Sequence, residues 1–235
     1  MDTIRSILAV TLACSGPVLA QAAPVTDPAA ANPPAHSGAI ALPKPDLEGR
    51  VPFEKTLGRR RSVREFAPGA LTLAEVSQLA WAAQGITGPD GKRTTPSARA
   101  VYPLTIYLVA HRVEGLEPGV YRYEPKEHAL TRIAAGDPEA ALTAAVPGQP
   151  FVAQAALVIV VAGDSALAKQ KLGPRGERWS AMETGFVVQD VYLEATSLGL
   201  GTVMVGGFDD AGVRAAARLP DGQVPYAVMP VGRKK

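Results

Sequence analysis

The hydrophobic residues of this chain recur with two different spacings, which predicts a fold that mixes helices and strands. The clearest helical pattern covers Leu73–Gln84, where apolar residues return every three or four positions. Thr72 and Glu75 have the spacing of a capping box at the start of this helix, and Gly85 predicts its end. We therefore expect an amphipathic helix with one face in the core.

Strand patterns occupy the middle of the chain. Leu104–Ala110 is predicted as a buried strand, and residues 119–123 and 129–133 are predicted as a hairpin that turns at residues 125–128. Residues 156–162 are apolar on both faces, as expected of a central strand.

Residues 180–198 predict a long helix whose apolar side chains spread around most of its circumference. Such a helix must be buried in the core or against a second subunit. Shorter elements are predicted as helices at residues 53–58 and 210–218 and as strands at residues 202–205 and 226–231. Together these elements predict an α+β fold, in which a central mixed or antiparallel sheet is flanked by helices.

Residues 1–20 have the pattern of an export signal. Arg5 gives a minimal positive region, residues 7–12 are apolar, and Ala20 ends a stretch typical of a cleavage site. Cys14 leaves an alternative open, a lipid anchor in place of cleavage. Ser15-Gly16-Pro17 interrupts the apolar stretch, so a membrane-spanning helix is not expected. We predict export, to the periplasm, of a mature form without a transmembrane helix.

Residues 21–50 are rich in alanine and proline. A segment of this composition cannot bury enough apolar surface to order itself, so we predict a flexible tether. Residues 51–235 are then expected to form one folded domain.

The composition excludes several classes of function. A formal net charge of +2 over 235 residues lacks the strongly basic balance of a nucleic-acid-binding domain. Three histidines and one cysteine do not supply a zinc site of the usual spacings, so no metal site is predicted. The sequence also has no GxGxxG fingerprint and no GxSxG nucleophile elbow.

Arg60-Arg61-Ser62-Val63-Arg64 is the segment that most strongly suggests chemistry. It places three guanidiniums and a hydroxyl within five residues, where the short predicted helix ends. Guanidinium groups bind phosphate through paired hydrogen bonds, although basic runs are also common on solvated surfaces. The cluster alone therefore indicates an anion site and does not identify the anion.

Three other segments could approach a ligand. Pro96-Ser97-Ala98 offers a hydroxyl and small residues before a strand, and Gly206-Gly207 would let a backbone come close to a ring or a phosphate. Gly232-Arg233-Lys234-Lys235 adds three cations. Each has a plainer interpretation: a turn, a loop that needs positive φ, and a solvated basic terminus.

Taken in order, six segments resemble one family. The chain is similar to nitroreductase-fold flavoproteins, in particular to the branch that includes the peptide azoline (thiazole/oxazole) dehydrogenases, from about Pro52 to the C-terminus. The segments that carry the resemblance are Arg-Arg-Ser-Val-Arg-Glu-Phe (60–66), Leu-Ala-Trp-Ala-Ala-Gln-Gly-Ile (79–86), Pro-Ser-Ala-Arg-Ala-Val-Tyr-Pro-Leu (96–104), Pro-Gly-Val-Tyr-Arg-Tyr (118–123), Leu-Gly-Leu-Gly-Thr-Val-Met-Val-Gly-Gly-Phe (198–208) and Pro-Tyr-Ala-Val-Met-Pro-Val-Gly-Arg (225–233).

The resemblance implies a nitroreductase-like fold with an FMN site at a homodimer interface, where the long helix would pack against its mate. The residues that match the family's flavin-binding segments are Arg60, Arg61, Ser62 and Arg64 for the phosphate and pyrimidine side, Arg233 and Lys234 for the phosphate, Gly206 and Gly207 for the backbone near the reactive N5, and Pro96, Ser97 and Ala98 for a segment that reaches the partner's flavin.

The resemblance further implies an FMN-dependent oxidoreductase with ping-pong hydride transfer through the flavin N5. Its substrate would be small and oxidised, nitroaromatic, quinone-like or heterocyclic, and NAD(P)H is a candidate electron donor. No catalytic side chain is assigned, because the cofactor supplies the chemistry. The alternative is an exported flavin-fold binding or assembly module without turnover.

Three features near this predicted site stay open. Residues 169–178 are expected to form a mobile lid. Glu183 could serve the site or simply pair with Arg178 or Lys171, and Arg99 could point outward or restrict the pocket.

Overall fold

The structure, a computed structural model, describes residues 38–49 and 51–235. The predicted signal at residues 1–20, Cys14 and the tether residues 21–37 and 50 lie outside the described residues. The helices are α1 (Phe53–Arg59), α2 (Leu73–Gln84), α3 (Glu139–Ala144), α4 (Ser165–Leu172), α5 (Gly176–Ser197) and α6 (Asp210–Ala216). The strands are β1 (Ile40–Ala41), β2 (Phe66–Ala67), β3 (Leu104–Ala110), β4 (Gly119–Glu124), β5 (Ala129–Ala135), β6 (Leu157–Asp164), β7 (Leu200–Thr202) and β8 (Gln223–Lys234). Short 3-10 turns cover Ala98–Ala100, Pro150–Gln154 and Gly173–Arg175.

The eight described strands form one antiparallel sheet in the order β1-β5-β4-β3-β6-β8-β2, and β7 also pairs with β8. β6 lies at the centre between β3 and β8, as its continuous apolar sequence predicts. Because successive residues of a strand point to opposite faces, the sheet is covered by apolar contacts on both sides. α2 and α5 pack on one face, and α3 and α6 pack on the other. The predicted α+β class with a sheet flanked by helices is confirmed.

Local signals position the first buried helix as predicted. α2 has the predicted bounds, and Thr72 and Glu75 form a complete capping box. Gly85 ends the helix, and a Cβ at this position would lie only 2.1 Å from Trp81 Cδ1. Glycine is therefore required there by close approach rather than by a positive φ.

The N-terminal boundary of the folded part differs from the prediction. β1 pairs with β5, and Leu42 is buried in the main core. Asp46 N donates to Gln78 Oε1 at 2.9 Å, and the Gln78 amide donates back to Asp46 O at 3.0 Å. Residues 38–49 thus lie against the domain, because strand pairing and the Gln78 contacts satisfy a backbone that its composition alone would leave solvated.

The C-terminal residues also differ from the prediction. The last strand was expected at residues 226–231, but β8 continues through Arg233 and Lys234 because β2 and β7 pair with its end. The predicted strand at 202–205 is replaced by the shorter β7 and a single bridge between Val205 and Val228. The basic terminus therefore belongs to the sheet.

The long helix starts four residues before its predicted start, and residues 169–178 are mostly helical. Lys169 pairs with Glu177 at 2.9 Å across this segment, between α4 and α5. Mobility of the segment stays a prediction. No helix within residues 38–49 and 51–235 is long and apolar enough to span a membrane.

Candidate functional site

The arginine cluster crosses the edge of the sheet where α1 ends. After Arg59 the chain becomes extended, and Val63 N donates to Thr202 O of β7 at 2.9 Å. β2 then pairs with the end of β8. This path places residues 60–64 beside β7, although the two segments are far apart in sequence.

Tyr192 on α5 connects the arginine cluster to the chain that follows β7. The Arg60 guanidinium carbon lies 5.0 Å from the centroid of the Tyr192 ring. The Tyr192 hydroxyl lies 3.1 Å from Ser62 Oγ and accepts a hydrogen bond from Met204 N at 2.8 Å. Two predicted site segments, residues 60–64 and the approach to Gly206-Gly207, therefore meet at one buried side chain.

Sequence reasoning missed Tyr192. The only signal was a tyrosine in a long helix whose apolar residues spread around most of its circumference, because a buried tyrosine hydroxyl usually has a hydrogen-bond partner. The pattern indicates that a partner exists but does not identify it.

The cations of the arginine cluster have no acidic partner among the described residues. Arg60, Arg61 and Arg64 take part in no ion pair with any residue of ranges 38–49 and 51–235; Arg61 donates instead to Gly58 O at 3.2 Å and Arg60 O at 2.7 Å. Lys234 lies beside Val63, on the other face of the sheet from Tyr192, since a Cβ at Gly201 would meet Val63 Cγ1 at 2.7 Å and Lys234 Cγ at 3.3 Å. We call Arg60, Arg61, Arg64 and Lys234 the cationic region.

Arg233 does not belong to this region, because its guanidinium is engaged within the fold, and its role as a phosphate ligand stays a prediction. Its Nη1 and Nη2 bind Glu75 Oε1 and Oε2 at 2.5 and 2.8 Å, and its Nη2 and Nε donate to Ala70 O at 3.0 and 3.2 Å. Consecutive residues of β8 point to opposite faces, so Arg233 faces α2 whereas Lys234 faces Phe66 and Val63. Most of the five donor hydrogens of Arg233 are thus already used.

Gly206 and Gly207 present their backbone to open space. A Cβ at Gly206 would meet only the Met204 side chain, at 3.3 Å, and nothing lies within 4 Å of one at Gly207. Neither glycine has a positive φ, so a loop that needs positive φ does not explain why glycine occupies these positions. Their amides donate to no described backbone or side-chain acceptor, while Asp209 just beyond them caps α6. The segment offers free N–H groups at the end of the sheet.

Pro96, Ser97 and Ala98 lie farther along α5. They line a shallow hollow of about 360 Å³ together with Trp179, Met182, Glu183 and Phe186. Glu183 is nine residues before Tyr192, roughly 14 Å along the helix axis. Within one chain, this segment is separate from the cationic region.

Glu183 is not paired with Arg178 or Lys171. It is only 5% exposed, and its Oε1 accepts a hydrogen bond from Ala98 N at 2.7 Å. Arg99 is exposed and turns outward, where its Nη1 donates to Lys171 O at 3.2 Å. The side chain on α5 therefore holds the 96–98 segment directly.

Large apolar side chains stay exposed along α1, α5 and the chain after β7. The exposed fractions are 60% for Phe53, 43% for Leu57, 56% for Met182, 46% for Phe186 and 39% for Met204. The predicted burial of the long helix is therefore only partly achieved within one chain. We call these five residues the apolar stripe.

Two further polar clusters lie outside these segments. Asp46, Glu48, Glu75 and Glu194 line a hollow of about 370 Å³ beside α2, which we call the acidic hollow; burial and the charge of Asp46 raise the pKa of Glu194. Directly after β3, His111 lies between Asp137 and Glu139, an arrangement that could hold a cation. The sequence analysis did not anticipate this trio, because its members come from separate segments.

Comparison with known proteins gives a consistent result. A family model described as the nitroreductase family matches residues 57–233. A candidate nitroreductase of Methanocaldococcus jannaschii is 44% identical over 190 residues, which cover 81% of this chain and 94% of that protein.

Solved structures share the fold. A candidate nitroreductase from Ralstonia eutropha gives a TM-score of 0.73 at 30% identity, over 84% of this chain and 90% of that one. A chain of the Escherichia coli microcin synthetase complex, solved with truncated pro-MccB17 bound, gives a TM-score of 0.68 at 22% identity, over 96% of this chain and 85% of that one. At that identity the second similarity concerns the fold alone. Together the comparisons confirm the fold implied by the resemblance.

Proposed function

The chain belongs to the nitroreductase family, which indicates a flavin-dependent oxidoreductase in the general sense, and we propose that it is an FMN-dependent oxidoreductase. The observation that carries this proposal is the Tyr192 contact set. It brings the arginine cluster to the segment that leads into Gly206-Gly207. One ligand could then contact the arginine cluster through its phosphate and the unused backbone amides of Gly206 and Gly207 through its ring.

The residues of the cationic region fit the phosphate of FMN. Arg60, Arg64 and Lys234 have no acidic partner among the described residues, and a phosphate dianion would supply one. Ser62 would add a neutral donor. The unused amides of Gly206 and Gly207 would face the ring, where backbone N–H groups can approach closely because no Cβ intervenes. Arg233 would contribute only indirectly, by fixing the end of β8.

When bound, FMN would supply two-electron, ping-pong hydride chemistry. The chain's residues would bind, orient and shield it: the cationic region would favour a negatively charged ligand, and Tyr192 would fix the spacing between Ser62 and Met204. We propose NAD(P)H as a candidate electron donor. The substrate would be small and oxidised, nitroaromatic, quinone-like or heterocyclic.

We further propose a homodimer built on the apolar stripe. Gly185 lies in the middle of α5, is exposed and has no atom within 4 Å of its Cβ position, and Ala181 is exposed one turn earlier. Two copies of α5 could cross closely at these small residues, which would cover Met182 and Phe186. In such a dimer the 96–98 segment of one subunit would reach the flavin of the other.

Export remains part of this proposal. Residues 1–20 would be removed at Ala20, or the chain would be anchored through Cys14. Mass spectrometry of protein isolated from the periplasm distinguishes a new N-terminus at Gln21 from a lipidated Cys14.

Purified protein tests the function. We expect a yellow dimer with flavin absorbance bands, bleached by NADPH or dithionite and reoxidised by a nitroaromatic or a quinone. Tyr192→Phe keeps the ring beneath Arg60 and removes the hydroxyl, so its FMN affinity should fall by about 1 kcal/mol, the scale of one hydrogen bond. Colourless protein that takes up no added FMN would refute the proposal. FMN binding without turnover of any acceptor would favour a binding module instead.

A further inference from the structure

Three residues with metal-binding side chains meet directly after β3. His111 follows the last residue of β3, and Asp137 and Glu139 flank Pro138 at the start of α3. Each of the three offers one ligand atom, an imidazole nitrogen or a carboxylate oxygen, and these atoms lie within 4.8 Å of one another. We call His111, Asp137 and Glu139 the histidine–carboxylate trio. None of them belongs to the segments that would contact FMN.

Backbone hydrogen bonds hold both sides of the trio in place. His111 N donates to Ala156 O, just before β6, at 3.1 Å. Asp137 Oδ1 accepts a hydrogen bond from Glu139 N at 2.9 Å, and Asp137 Oδ2 contacts His111 Nδ1. Because the fold already brings these groups together, little ordering remains to be done when a ligand binds to them.

The two carboxylates approach different nitrogens of the same imidazole ring. Asp137 Oδ2 contacts Nδ1 of His111, and Glu139 Oε2 lies 3.7 Å from Nε2. A neutral imidazole has one N–H group and one lone pair, so only one of the two carboxylates can face a donor. A second proton or a metal ion on the remaining nitrogen would turn the repulsion there into attraction.

No lysine or arginine neutralises the carboxylates of the trio in the part of the chain that the structure describes. The ion pairs of Asp137 and Glu139 are with His111 alone. Arg218 lines a hollow of about 180 Å³ beside Asp137 but forms no ion pair with it. With a neutral imidazole the trio therefore carries two negative charges, which match one divalent cation.

The types of ligand favour Zn²⁺ over Mg²⁺ or Ca²⁺. Imidazole nitrogen together with carboxylate oxygen suits Zn²⁺, whereas Mg²⁺ and Ca²⁺ prefer a full set of oxygen ligands. The side chains of His111, Asp137 and Glu139 are 23%, 30% and 32% exposed. Water can therefore complete the coordination, and the side chains can rotate to the spacing of roughly 3.3 Å between ligand atoms on a tetrahedral zinc ion.

We propose that His111, Asp137 and Glu139 bind one Zn²⁺ ion, which fastens the start of α3 to the chain that follows β3. The three ligands come together only in the folded chain, so zinc binding would stabilise the folded state. This inference does not depend on the proposed function, because the trio would not contact FMN.

Zinc titration of the full chain tests the site. Protein freed of metal with EDTA and titrated with ZnCl₂ in a calorimeter should bind one ion per chain. His111→Ala, Asp137→Asn and Glu139→Gln should each weaken binding by at least about tenfold, because even residues behind the metal ligands cost 10–100-fold when they are lost. Mg²⁺ or Ca²⁺ in about tenfold excess should not displace Zn²⁺.

Two control variants address other groups that bind zinc. Cys14→Ser combined with His36→Ala removes the thiol and the imidazole that lie outside the described residues. Asp221→Asn removes an exposed carboxylate that pairs with Arg214 instead. Both controls should keep the parent's zinc affinity.

A second readout follows folding instead of heat. At a free Zn²⁺ concentration of 100 times Kd, the ratio of folded to unfolded protein should rise about 100-fold in the parent. Urea denaturation with and without ZnCl₂ measures this change, which should be absent in the Asp137→Asn variant. If His111→Ala fails to fold, Asp137→Asn and Glu139→Gln still decide, because they keep the size of the side chains.

The outcomes separate the zinc site from its alternatives. No zinc binding by the folded parent would overturn the proposal and leave an ion pair between protonated His111 and the two carboxylates. Equal zinc affinity in the parent and the three trio variants would also overturn it, since the ion would then bind elsewhere. A parent protein without FMN would refute the proposed function and leave the zinc result unchanged.

Discussion

The cationic region and the acidic hollow lie on opposite sides of the same helix, and their side chains are used in different ways. Tyr192 and Glu194 are two residues apart on α5, which places them about 200° apart around the helix. Beside Tyr192, Arg60 has no acidic partner among the described residues. Beside Glu194, carboxylates predominate, and the nearby Arg233 is fully engaged with Glu75. The helix thus separates cations that a ligand could use from a cation that the fold uses.

Arg60 and Arg233 show that residue type does not decide which role an arginine takes. Both were predicted to bind the same phosphate. Arg60 stacks on an aromatic ring, which leaves its guanidinium N–H groups available. The N–H groups of Arg233 instead donate to Glu75 and Ala70 O. The difference comes from the partner that the fold brings to each side chain.

Replacement of Arg233 should have the largest effect, and the effect should be on stability. Arg233→Ala breaks a bidentate pair and leaves Glu75, whose side chain is only 17% exposed, without its ionic partner and with hydrogen bonds from Thr72 alone. We expect a loss of about 3 kcal/mol in the free energy of unfolding, the lower end for a broken buried pair, because the guanidinium is about one third exposed. FMN affinity of the folded protein should change less than twofold. Urea denaturation and FMN titration measure the two quantities.

The matched control for Arg233 is Lys235→Ala, which removes the same charge from an exposed terminal position. It should change stability by less than about 0.5 kcal/mol. In a double-mutant cycle with Glu75→Ala, the loss of the Thr72 contacts occurs with and without Arg233, so the cycle isolates the coupling between Arg233 and Glu75, which should be favourable. A large drop in FMN affinity without loss of stability in Arg233→Ala would contradict a structural role for Arg233 and give it the same role as Arg60.

Replacement of Arg60 should give the opposite result. Arg60→Ala should weaken FMN binding by about 1–3 kcal/mol, the range for a hydrogen bond to a charged group. Stability should fall by less than about 1 kcal/mol, because only the stacking on Tyr192 is lost. Arg59→Ala, one residue earlier and at the exposed end of α1, is the control for charge alone and should leave FMN affinity nearly unchanged. Equal losses of affinity in both variants would indicate a diffuse electrostatic effect rather than a phosphate contact.

Local signals in the sequence were enough for the elements that frame the site. The capping box and the apolar spacing predicted the bounds of α2, and the apolar run predicted β3. In both cases the determinants lie within one element, so tertiary structure had little to override. The family resemblance added the order of the flavin-binding segments.

The partners of the site residues could not be predicted, because they are distant in sequence. Ser62 and Tyr192 are separated by 130 positions, Ala98 and Glu183 by 85, and Glu75 and Arg233 by 158. A pattern can indicate that a buried hydroxyl or carboxylate has a partner, but the sheet order decides which one. The docking of residues 38–49 has the same origin, since it depends on the edge of β5.

The smallest expected effect concerns Glu194 in the acidic hollow. Burial raises the pKa of Glu194 above its ordinary value of 4.5, the Gln78 hydrogen bond lowers it in part, and the charge of Asp46 raises it further. The folded state therefore holds this proton more tightly than the unfolded state, so the contribution of Glu194 to stability is fully present below pH 4.5 and is lost as the pH rises through the folded pKa.

Glu194→Gln should thus stabilise the protein at pH 7.5 and not at pH 4. The gain should be below about 1 kcal/mol, because the carboxyl is partly solvated and water screens its charge. Urea denaturation at both pH values measures it, with Glu48→Gln as the control for an exposed acid in the same hollow. Equal stability of Glu194→Gln and the parent at pH 7.5 would mean that neither burial nor the charge of Asp46 destabilises the ionised Glu194 appreciably. The charges of the acidic hollow would then leave the free energy of unfolding unchanged. The placement of cations and carboxylates on opposite sides of α5 would in that case affect ligand binding and not stability.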